Sequence, residues 1–183
     1  MAGFNLPRRV KRIARILQEE GFQCFLVGGA VRNLVMGRKP KDYDLATDAR
    51  PEEVQRLFRR VIPTGIEHGT VTVLFQGEPF EITTFRSESA YSDGRHPDAV
   101  RFEREIDADL SRRDFTMNGM AVEVASGELY DPFGGRQDIR EGLVRAIGDP
   151  DERLREDGLR VLRACRFAAQ LEFRIEDATY AAL

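Results

Sequence analysis

Apolar residues recur at regular spacing in the first part of the chain. Spacing of three or four residues predicts a helix over residues 9–20, which ends at a glycine. A short apolar run at 22–27 predicts a strand that leads directly into two glycines, and helical spacing resumes at 30–36. Apolar residues return at 42–46 and predict a second strand. The pattern therefore indicates two strands that flank a glycine turn and a short helix.

The middle of the chain has the patterning of a helix followed by a hairpin. Pro51 is suited to a helix entry, and a helix is predicted over 51–60. Strands are predicted at 71–75 and 80–85, and the turn residues between them indicate a hairpin. The polar stretch 86–98 is predicted to be a loop, and long loops in compact domains are often functional.

The last third of the chain changes from strand to helix patterning. Residues 119–124 and 128–131 predict another hairpin, after which helical spacing dominates to the end. The change divides an α+β domain at 1–148, with a small sheet flanked by helices, from a helical piece at 149–183.

Composition narrows the classes of function. The 183 residues carry a formal net charge of −3, so any contact with RNA must come from a local basic patch. Cys24 and Cys165 fit no metal spacing and are predicted to be buried thiols in a reducing compartment. No apolar run reaches the roughly 18 residues of a membrane span, and the N-terminus lacks a secretory signal. The chain is therefore predicted to be cytoplasmic and to have no membrane partner.

The glycine pair is a candidate phosphate site. Gly28 and Gly29 stand at a predicted helix start, where backbone N–H groups can approach an anion. Arg32 follows one turn later and can hold a phosphate with two hydrogen bonds. The alternative is a tight strand-to-helix turn with a surface arginine.

Three carboxylates indicate a cation site beside it. Asp42 and Asp44 are two apart in a predicted strand, so their side chains point to one face. Neighbouring carboxylates repel each other unless a cation lies between them, and Mg²⁺ commonly pairs one or two carboxylates with substrate phosphates. Glu81, on another predicted strand, is a candidate third ligand. The alternative is a set of solvated surface acids.

A third cluster lies at 111–118. Its arginines are suited to a triphosphate, and Asp114 can accept a hydrogen bond from a sugar hydroxyl. The alternative is an ordinary charged helix start.

A fourth cluster lies in the predicted terminal helix. Asp157, Arg160 and Arg163 are spaced three apart and are predicted to share one helix face. The alternative is a salt-bridged helix surface. Gly158 inside a helix costs about 1 kcal/mol relative to Ala, which suggests that a close approach requires it.

These clusters, in this order, resemble the head and neck of a class II tRNA nucleotidyltransferase, the CCA-adding type of the polymerase-β-like superfamily. The resemblance extends from about Cys24 to Phe173 and rests on four motifs, LVGGAVRN…KDYDLAT, SRRDFTMNGMA, DPFGGRQDI and REDGLRVLRACRFA. It implies a catalytic head with a small mixed, largely antiparallel sheet, followed by the start of a helical neck.

The resemblance also implies an activity and its site residues. The 3′-hydroxyl of a tRNA would attack the α-phosphate of CTP or ATP and release pyrophosphate. Asp42 and Asp44 would be the catalytic residues and would hold Mg²⁺, the implied cofactor. The implied nucleotide-binding residues are Gly28, Gly29 and Arg32 along the phosphates, Arg113, Asp114 and Asn118 around the ribose, and Asp157, Arg160 and Arg163 in the base-selecting motif.

The base-selecting pair agrees with hydrogen-bond logic. Asp157 only accepts and Arg160 only donates. Cytosine and adenine each present an amino donor beside a ring-nitrogen acceptor, whereas uracil and guanine present the reverse. The pair is therefore predicted to admit CTP and ATP and to reject UTP and GTP.

The sequence also departs from the family pattern. Asn33 stands where Asp is usual, and Gly119 and Gly158 stand where a side chain is usual. The body and tail that grip tRNA in the family are missing and would be supplied by a further portion or by a partner chain. Three functions stay open: a CCA-, CC- or A-adding core, a poly(A) polymerase, and a nucleotide-binding module that does not catalyse.

Overall fold

The computed structural model of the protein describes residues 3–89, 91 and 99–183. Its helices are α1 (Arg8–Glu19), α2 (Gly29–Val35), α3 (Pro51–Leu57), α4 (Ile106–Ser111), α5 (Gly135–Glu141), α6 (Pro150–Glu156), α7 (Leu159–Leu171) and α8 (Asp177–Ala181). Its strands are β1 (Phe25–Val27), β2 (Leu45–Thr47), β3 (Val61–Gly65), β4 (Thr70–Phe75), β5 (Glu78–Thr84), β6 (Arg86–Ser89), β7 (Ala99–Phe102), β8 (Ala121–Glu123), β9 (Leu129–Tyr130), β10 (Leu143–Val144) and β11 (Arg174–Ile175). Short 3₁₀ turns occupy Ile66–His68 and Thr116–Asn118.

Seven strands form the main sheet, in the order β3-β4-β5-β2-β1-β8-β9. The pair β2–β5 is parallel, and the other neighbours in this sheet are antiparallel. The mixed, largely antiparallel sheet that the family resemblance implied is therefore confirmed. Two small sheets, β6–β7 and β10–β11, complete the architecture of the described residues.

Helix α1 covers one face of the sheet because its apolar residues form a single stripe. Val10, Ile13 and Leu17 are fully buried in the largest core cluster, together with residues of α3, β4 and β5. Burial of a large aliphatic side chain contributes about 1.5–3 kcal/mol. The opposite face of the sheet packs against α4, through Ile106 and Leu110. The two faces are thus held by separate apolar clusters.

The orientation of β5 assigns its side chains to these two faces. Phe80 and Ile82 belong to the cluster under α1. Successive side chains of a strand alternate between faces, so Glu81 points to the face that α4 covers. This is the face on which the functional site is built.

Both predicted hairpins are confirmed. The β4–β5 hairpin turns at Gln76 and Gly77, whose φ values of 52° and 84° are those of a two-residue turn with both central residues in the left-handed region. In the second hairpin, Ala121 of β8 pairs with Tyr130 of β9.

Three predictions for the first half of the chain are wrong in detail. The strand predicted at 42–46 is shorter and begins later, as β2 at Leu45–Thr47, so Asp42 and Asp44 precede the strand. The helix predicted to residue 60 ends at Leu57, because Phe58 turns to an extended conformation and buries its ring. The first four residues of the predicted loop 86–98 form β6, which pairs with β7. Residues 90 and 92–98 of that loop lie outside the described residues.

The predicted continuous terminal helix is also wrong. Helix α6 ends at Glu156, Asp157 has extended φ and ψ of −143° and 109°, and a new helix begins at Leu159. Strand β11 follows α7 and pairs in parallel with β10. That pairing joins chain on both sides of the boundary predicted at residue 148, and the boundary itself stays a prediction.

The two cysteines have different environments. Cys24 is buried as predicted, and burial raises the pKa of its thiol to about 12. Cys165 is exposed on α7, so its predicted burial is wrong. None of the helices in the described part of the chain has the length and apolar character that crossing a bilayer requires.

Candidate nucleotide site

A cavity of about 660 Å³ brings most of the predicted site residues together. Its volume lies within the range of small-molecule sites. Ten of the twelve predicted site residues line it: Gly28, Gly29, Arg32, Asp44, Arg113, Asp114, Asn118, Asp157, Arg160 and Arg163. The other two, Asp42 and Glu81, lie outside its lining, but their negative charges raise the pKa of Asp44.

The lining has an excess of positive charge in a chain whose net charge is −3. Seven arginines face four carboxylates, which leaves a formal surplus of three positive charges. The arginines are Arg32, Arg86, Arg112, Arg113, Arg160, Arg163 and Arg166, and the acids are Asp44, Glu88, Asp114 and Asp157. Such a cavity concentrates anions.

The glycine turn forms the wall at the start of α2. Gly28 has a φ of 65°, which only glycine adopts readily, and a Cβ there would lie 3.1 Å from Nη1 of Arg113. The helix begins at Gly29, and N–H groups in a first helical turn have no acceptor within the helix. The turn therefore presents backbone donors beside a guanidinium.

Arginines crowd around one aromatic ring at the next part of the wall. The guanidinium carbons of Arg32, Arg163 and Arg166 lie 5.1, 5.2 and 4.9 Å from the ring centre of Phe167. Burial lowers the pKa of Arg32; Asp114 opposes this shift, and Arg163 and Arg166 add to it. An anion between these like charges would relieve their repulsion.

Asn33 and Asn118 orient Arg32. Its Nη1 donates to Oδ1 of Asn118 at 2.9 Å, and its Nη2 donates to Oδ1 of Asn33 at 3.3 Å. Asn33, which departs from the family pattern, therefore keeps an acceptor beside Arg32 without a negative charge.

The carboxylates gather where β2 and β5 run side by side. Leu45 pairs with Ile82 in the parallel ladder, so the preceding residues, Asp44 and Glu81, are neighbours. Burial raises the pKa of Asp44, Glu81 and Asp42 raise it further, and Arg113 opposes them. The neighbouring negative charges fit a cation, which would relieve the same repulsion.

Oxygen ligands of this kind are those that Mg²⁺ prefers. Among the residues that the structure describes, no three acidic, histidine or cysteine side chains form a ready-made metal cluster. A metal at Asp44 would therefore complete its coordination with water or phosphate oxygens, as Mg²⁺ commonly does.

Asp114 is buried between Asn118 and Arg163. Its Oδ1 accepts from the Phe115 amide at 2.8 Å and from Nδ2 of Asn118 at 3.0 Å. Its Oδ2 accepts from Nε and Nη2 of Arg163 at 2.7 and 2.6 Å. The segment is a helix end followed by a 3₁₀ turn, so its alternative interpretation as a helix start is wrong. Asp114 joins α7 to the head.

Asp157, in an extended conformation, and the buried Arg160 line another part of the cavity. Oδ1 of Asp157 accepts from the Leu159 amide at 2.9 Å. Nη1 of Arg160 donates to the Arg153 carbonyl at 2.8 Å and to Glu156, and its Nη2 donates to the Arg112 carbonyl at 3.2 Å. Because α6 ends before Asp157, the two residues share the cavity although they do not share a helix face.

Sequence reasoning assigned no role to several lining residues. Glu88 of β6 accepts from Arg112 at 2.9 Å and also from Arg86 and Tyr91. Burial, followed by Glu88, raises the pKa of Tyr91 to about 12. The sequence predicted a loop where β6 lies, so it gave no context for Glu88. Arg112 belongs to the 111–118 cluster, whose arginines were already predicted to suit a triphosphate.

The chain is similar in sequence to bacterial proteins that are named CCA-adding enzymes. The chain is 53% identical over 163 residues to the CCA-adding enzyme of Bacillus velezensis, covering 89% of this chain and 41% of that enzyme. It is 48% identical over 171 residues to the CCA-adding enzyme of Lactobacillus helveticus, covering 93% of this chain and 43% of that enzyme. The chain therefore spans less than half the length of these relatives.

Solved structures give the same result. The Bacillus stearothermophilus CCA-adding enzyme in complex with CTP matches 96% of this chain and 42% of its own, with a TM-score of 0.88 and 40% identity. The Thermotoga maritima CCA-adding enzyme complexed with tRNA matches 94% of this chain and 40% of its own, with a TM-score of 0.74 and 27% identity. The resemblance predicted from the four motifs is confirmed. Since the family model of the Poly A polymerase head domain matches residues 24–145, the chain belongs to that family.

Proposed function

We propose that this chain is the catalytic core of a template-independent RNA nucleotidyltransferase that adds C, A or both from CTP and ATP to the 3′ end of tRNA. The observation that carries the proposal is that one cavity is lined by residues of three separate motifs. We assign its Gly28, Gly29 and Arg32 wall to the phosphates, its Asp114 wall to the sugar, and its Asp157 and Arg160 wall to the base. The family membership and the relatives that are named CCA-adding enzymes support it.

In the proposed reaction, the oxygen of the tRNA 3′-hydroxyl attacks the α-phosphorus of the nucleotide. The hydroxyl loses its proton, a new phosphodiester bond forms, and the bond to the departing pyrophosphate breaks. The backbone donors at Gly28 and Gly29, together with Arg32 and Arg113, bind the triphosphate. Their positive charge matches the polyanion and fixes its orientation for attack.

Asp42 and Asp44, with Glu81 beside them, are proposed to hold Mg²⁺. When bound, Mg²⁺ supplies charge neutralisation at the triphosphate and lowers the pKa of the attacking hydroxyl. The raised pKa of Asp44 among like charges supports this assignment. Asp42 and Asp44 are the proposed catalytic residues.

The base side supports selection of C and A. The second carboxylate oxygen of Asp157 has no hydrogen-bond partner among the described residues and is available to an exocyclic amino group. Arg160 has five N–H donors, of which its protein contacts use three, so donors remain for a ring nitrogen. Uracil or guanine would leave these polar groups mismatched, which is costly in a closed site.

The sugar side is proposed to read the ribose through Asp114, with Arg113 and Asn118 nearby. Arg163 occupies Oδ2 of Asp114, so a ribose hydroxyl would have to share or displace that ion pair. We also propose a cytoplasmic location, and a grip on tRNA that needs surface beyond this chain, from a further portion or a partner chain.

Incubation with Mg²⁺, labelled nucleotides and tRNA that lacks its 3′ end tests the proposal. C or A addition that requires tRNA supports it. Long A runs on unrelated RNA would favour a poly(A) polymerase, and nucleotide binding without incorporation would favour a non-catalytic module. Asp44→Asn is expected to abolish incorporation. Asp48→Asn serves as the matched control and should retain it, because Asp48 follows β2 at the end opposite Asp44 and does not line the cavity.

A further inference from the structure

We propose that Asp109 is the positioning residue of the triphosphate side, because its buried carboxylate fixes Arg112 and Arg113 at the cavity wall. The inference rests on the proposed function, since it assigns the anion that these arginines meet to the triphosphate of a nucleotide.

Both carboxylate oxygens of Asp109 accept hydrogen bonds from arginine side chains. It is fully buried in α4. Its Oδ1 accepts from Nε and Nη2 of Arg112 at 3.2 and 2.9 Å, and its Oδ2 accepts from Nη2 of Arg113 at 2.9 Å. Although burial acts to raise it, Arg113 and Arg112 hold the pKa of Asp109 below its ordinary value. The carboxylate is therefore ionised and bridges two guanidinium groups.

Asp109 does not line the cavity, but both of its partners do. With Nη2 of Arg113 anchored, Nη1 lies beside the glycine turn, 3.1 Å from the position of a Cβ on Gly28. The positive charge of Arg113 also lowers the pKa of Asp44, against the effect of burial. The anchored arginine thus stands between the proposed phosphate and metal positions.

Arg112 extends the same anchor to the base side. Its Nη1 donates to Glu88 at 2.9 Å, and its backbone carbonyl accepts from Nη2 of Arg160 at 3.2 Å. A free arginine side chain occupies many rotamers, and fixing it before a ligand arrives reduces the entropy lost on binding. Asp109 can therefore preorganise both sides of the site without touching the ligand.

The positioning role and a simple charge role predict opposite signs. Asp109→Asn removes a negative charge next to a cavity that is already positive, so charge alone predicts tighter binding of a polyphosphate. Loss of positioning predicts weaker binding of CTP. A general loss of structure predicts equal weakening of CTP and CMP, whereas loss of positioning spares CMP, which lacks the β- and γ-phosphates.

The test is titration calorimetry of the full chain with CTP and with CMP in Mg²⁺. Asp109→Asn is expected to weaken CTP binding about tenfold, the size of one lost hydrogen bond to a charged group, and to leave CMP binding unchanged. Asp138→Asn is the matched control. Asp138 is also buried, at 5% exposure, and binds Arg145 and Thr116 outside the cavity, so its variant should keep the ratio of CTP to CMP affinity.

A double-mutant cycle separates positioning from other effects. If Asp109 acts through Arg113, Asp109→Asn should change CTP affinity little in an Arg113→Lys background. Additive effects, unchanged or tighter CTP binding, or equal loss of CTP and CMP would overturn the inference. If Asp109→Asn unfolds below the assay temperature, Asp109→Glu, which keeps the charge and shifts the carboxylate by one methylene, enters the same cycle.

The outcomes also separate this inference from the proposed function. Wild-type protein that binds no CTP would overturn both. Wild-type protein that binds CTP, with an Asp109→Asn variant that binds it equally well, would overturn the positioning role alone.

Discussion

The substitution Asp114→Asn probes the ion pair that joins α7 to the head. Asparagine can still accept from the Phe115 amide and from Asn118, but its amide nitrogen cannot accept the two N–H groups of Arg163. Hydrogen bonds to charged groups contribute about 1.5–3 kcal/mol each in favourable settings. The Arg163 side chain is 42% exposed, so water replaces part of what is lost. We expect a net destabilisation of about 2 kcal/mol.

Thermal unfolding followed by circular dichroism measures this loss. About 2 kcal/mol corresponds to a fall in Tm of roughly 4–8 °C for a chain of this size. Arg163→Gln and the double variant complete a cycle, in which the two losses should be less than additive. A fall in Tm below about 1 °C, or full additivity, would refute the ion pair as the link between head and α7.

The remaining predictions concern backbone space, base choice and pH. Gly135→Ala should destabilise the fold by about 3 kcal/mol or more, because its Cβ would overlap a neighbouring backbone carbonyl. Gly158→Ala should change the free energy of unfolding by less than about 1 kcal/mol, because nothing lies within 4 Å of a Cβ at that position. Paired denaturant titrations check both values. Replacing Asp157 and Arg160 with neutral residues should relax base choice, and unchanged selectivity for C and A in incorporation assays would contradict the assignment. Because the folded-state pKa of Asp44 is raised, its contribution to metal-free stability is present below the unfolded pKa and is lost as pH rises through the folded pKa. Unfolding titrations against pH should show this slope and its loss in Asp44→Asn, and acidification should weaken Mg²⁺ affinity more in the wild type than in Asp44→Asn.

The parts of the fold that sequence predicted are those that local chemistry determines. Helix α1 follows from one apolar stripe, and the β4–β5 hairpin follows from the turn at Gln76 and Gly77. Residues of separate motifs line one cavity. Their proximity could be expected only from the family resemblance, because spacing along the sequence contains no information on long-range pairing.

The misplaced elements depend on contacts that hydrophobic periodicity does not show. Strand β6 is polar, and its pairing with β7 is what makes it a strand. The break at Asp157 lets its side chain cap the following turn through the Leu159 amide, and helical periodicity continues across it. Gly158 illustrates the same limit: it precedes α7 and does not lie inside a helix, so the helix cost ascribed to it does not apply, and no described protein atom lies within 4 Å of a Cβ there.

Asp109 was missed for a related reason. A buried acid in a charged stretch cannot be told from a surface acid by composition alone, and its importance appears only when both arginine partners are seen at the cavity wall. Asn33 shows the converse. The departure raised doubt from sequence, whereas the structure gives its amide oxygen a specific partner in Arg32.

The most direct test of the central claim is to sequence the 3′ ends of tRNA after incubation with the chain, Mg²⁺ and all four nucleotides together. We predict that the ends gain only C and A. Addition of U or G at comparable frequency would contradict the assignment of Asp157 and Arg160, and ends left unextended despite bound nucleotide would contradict catalysis by this chain.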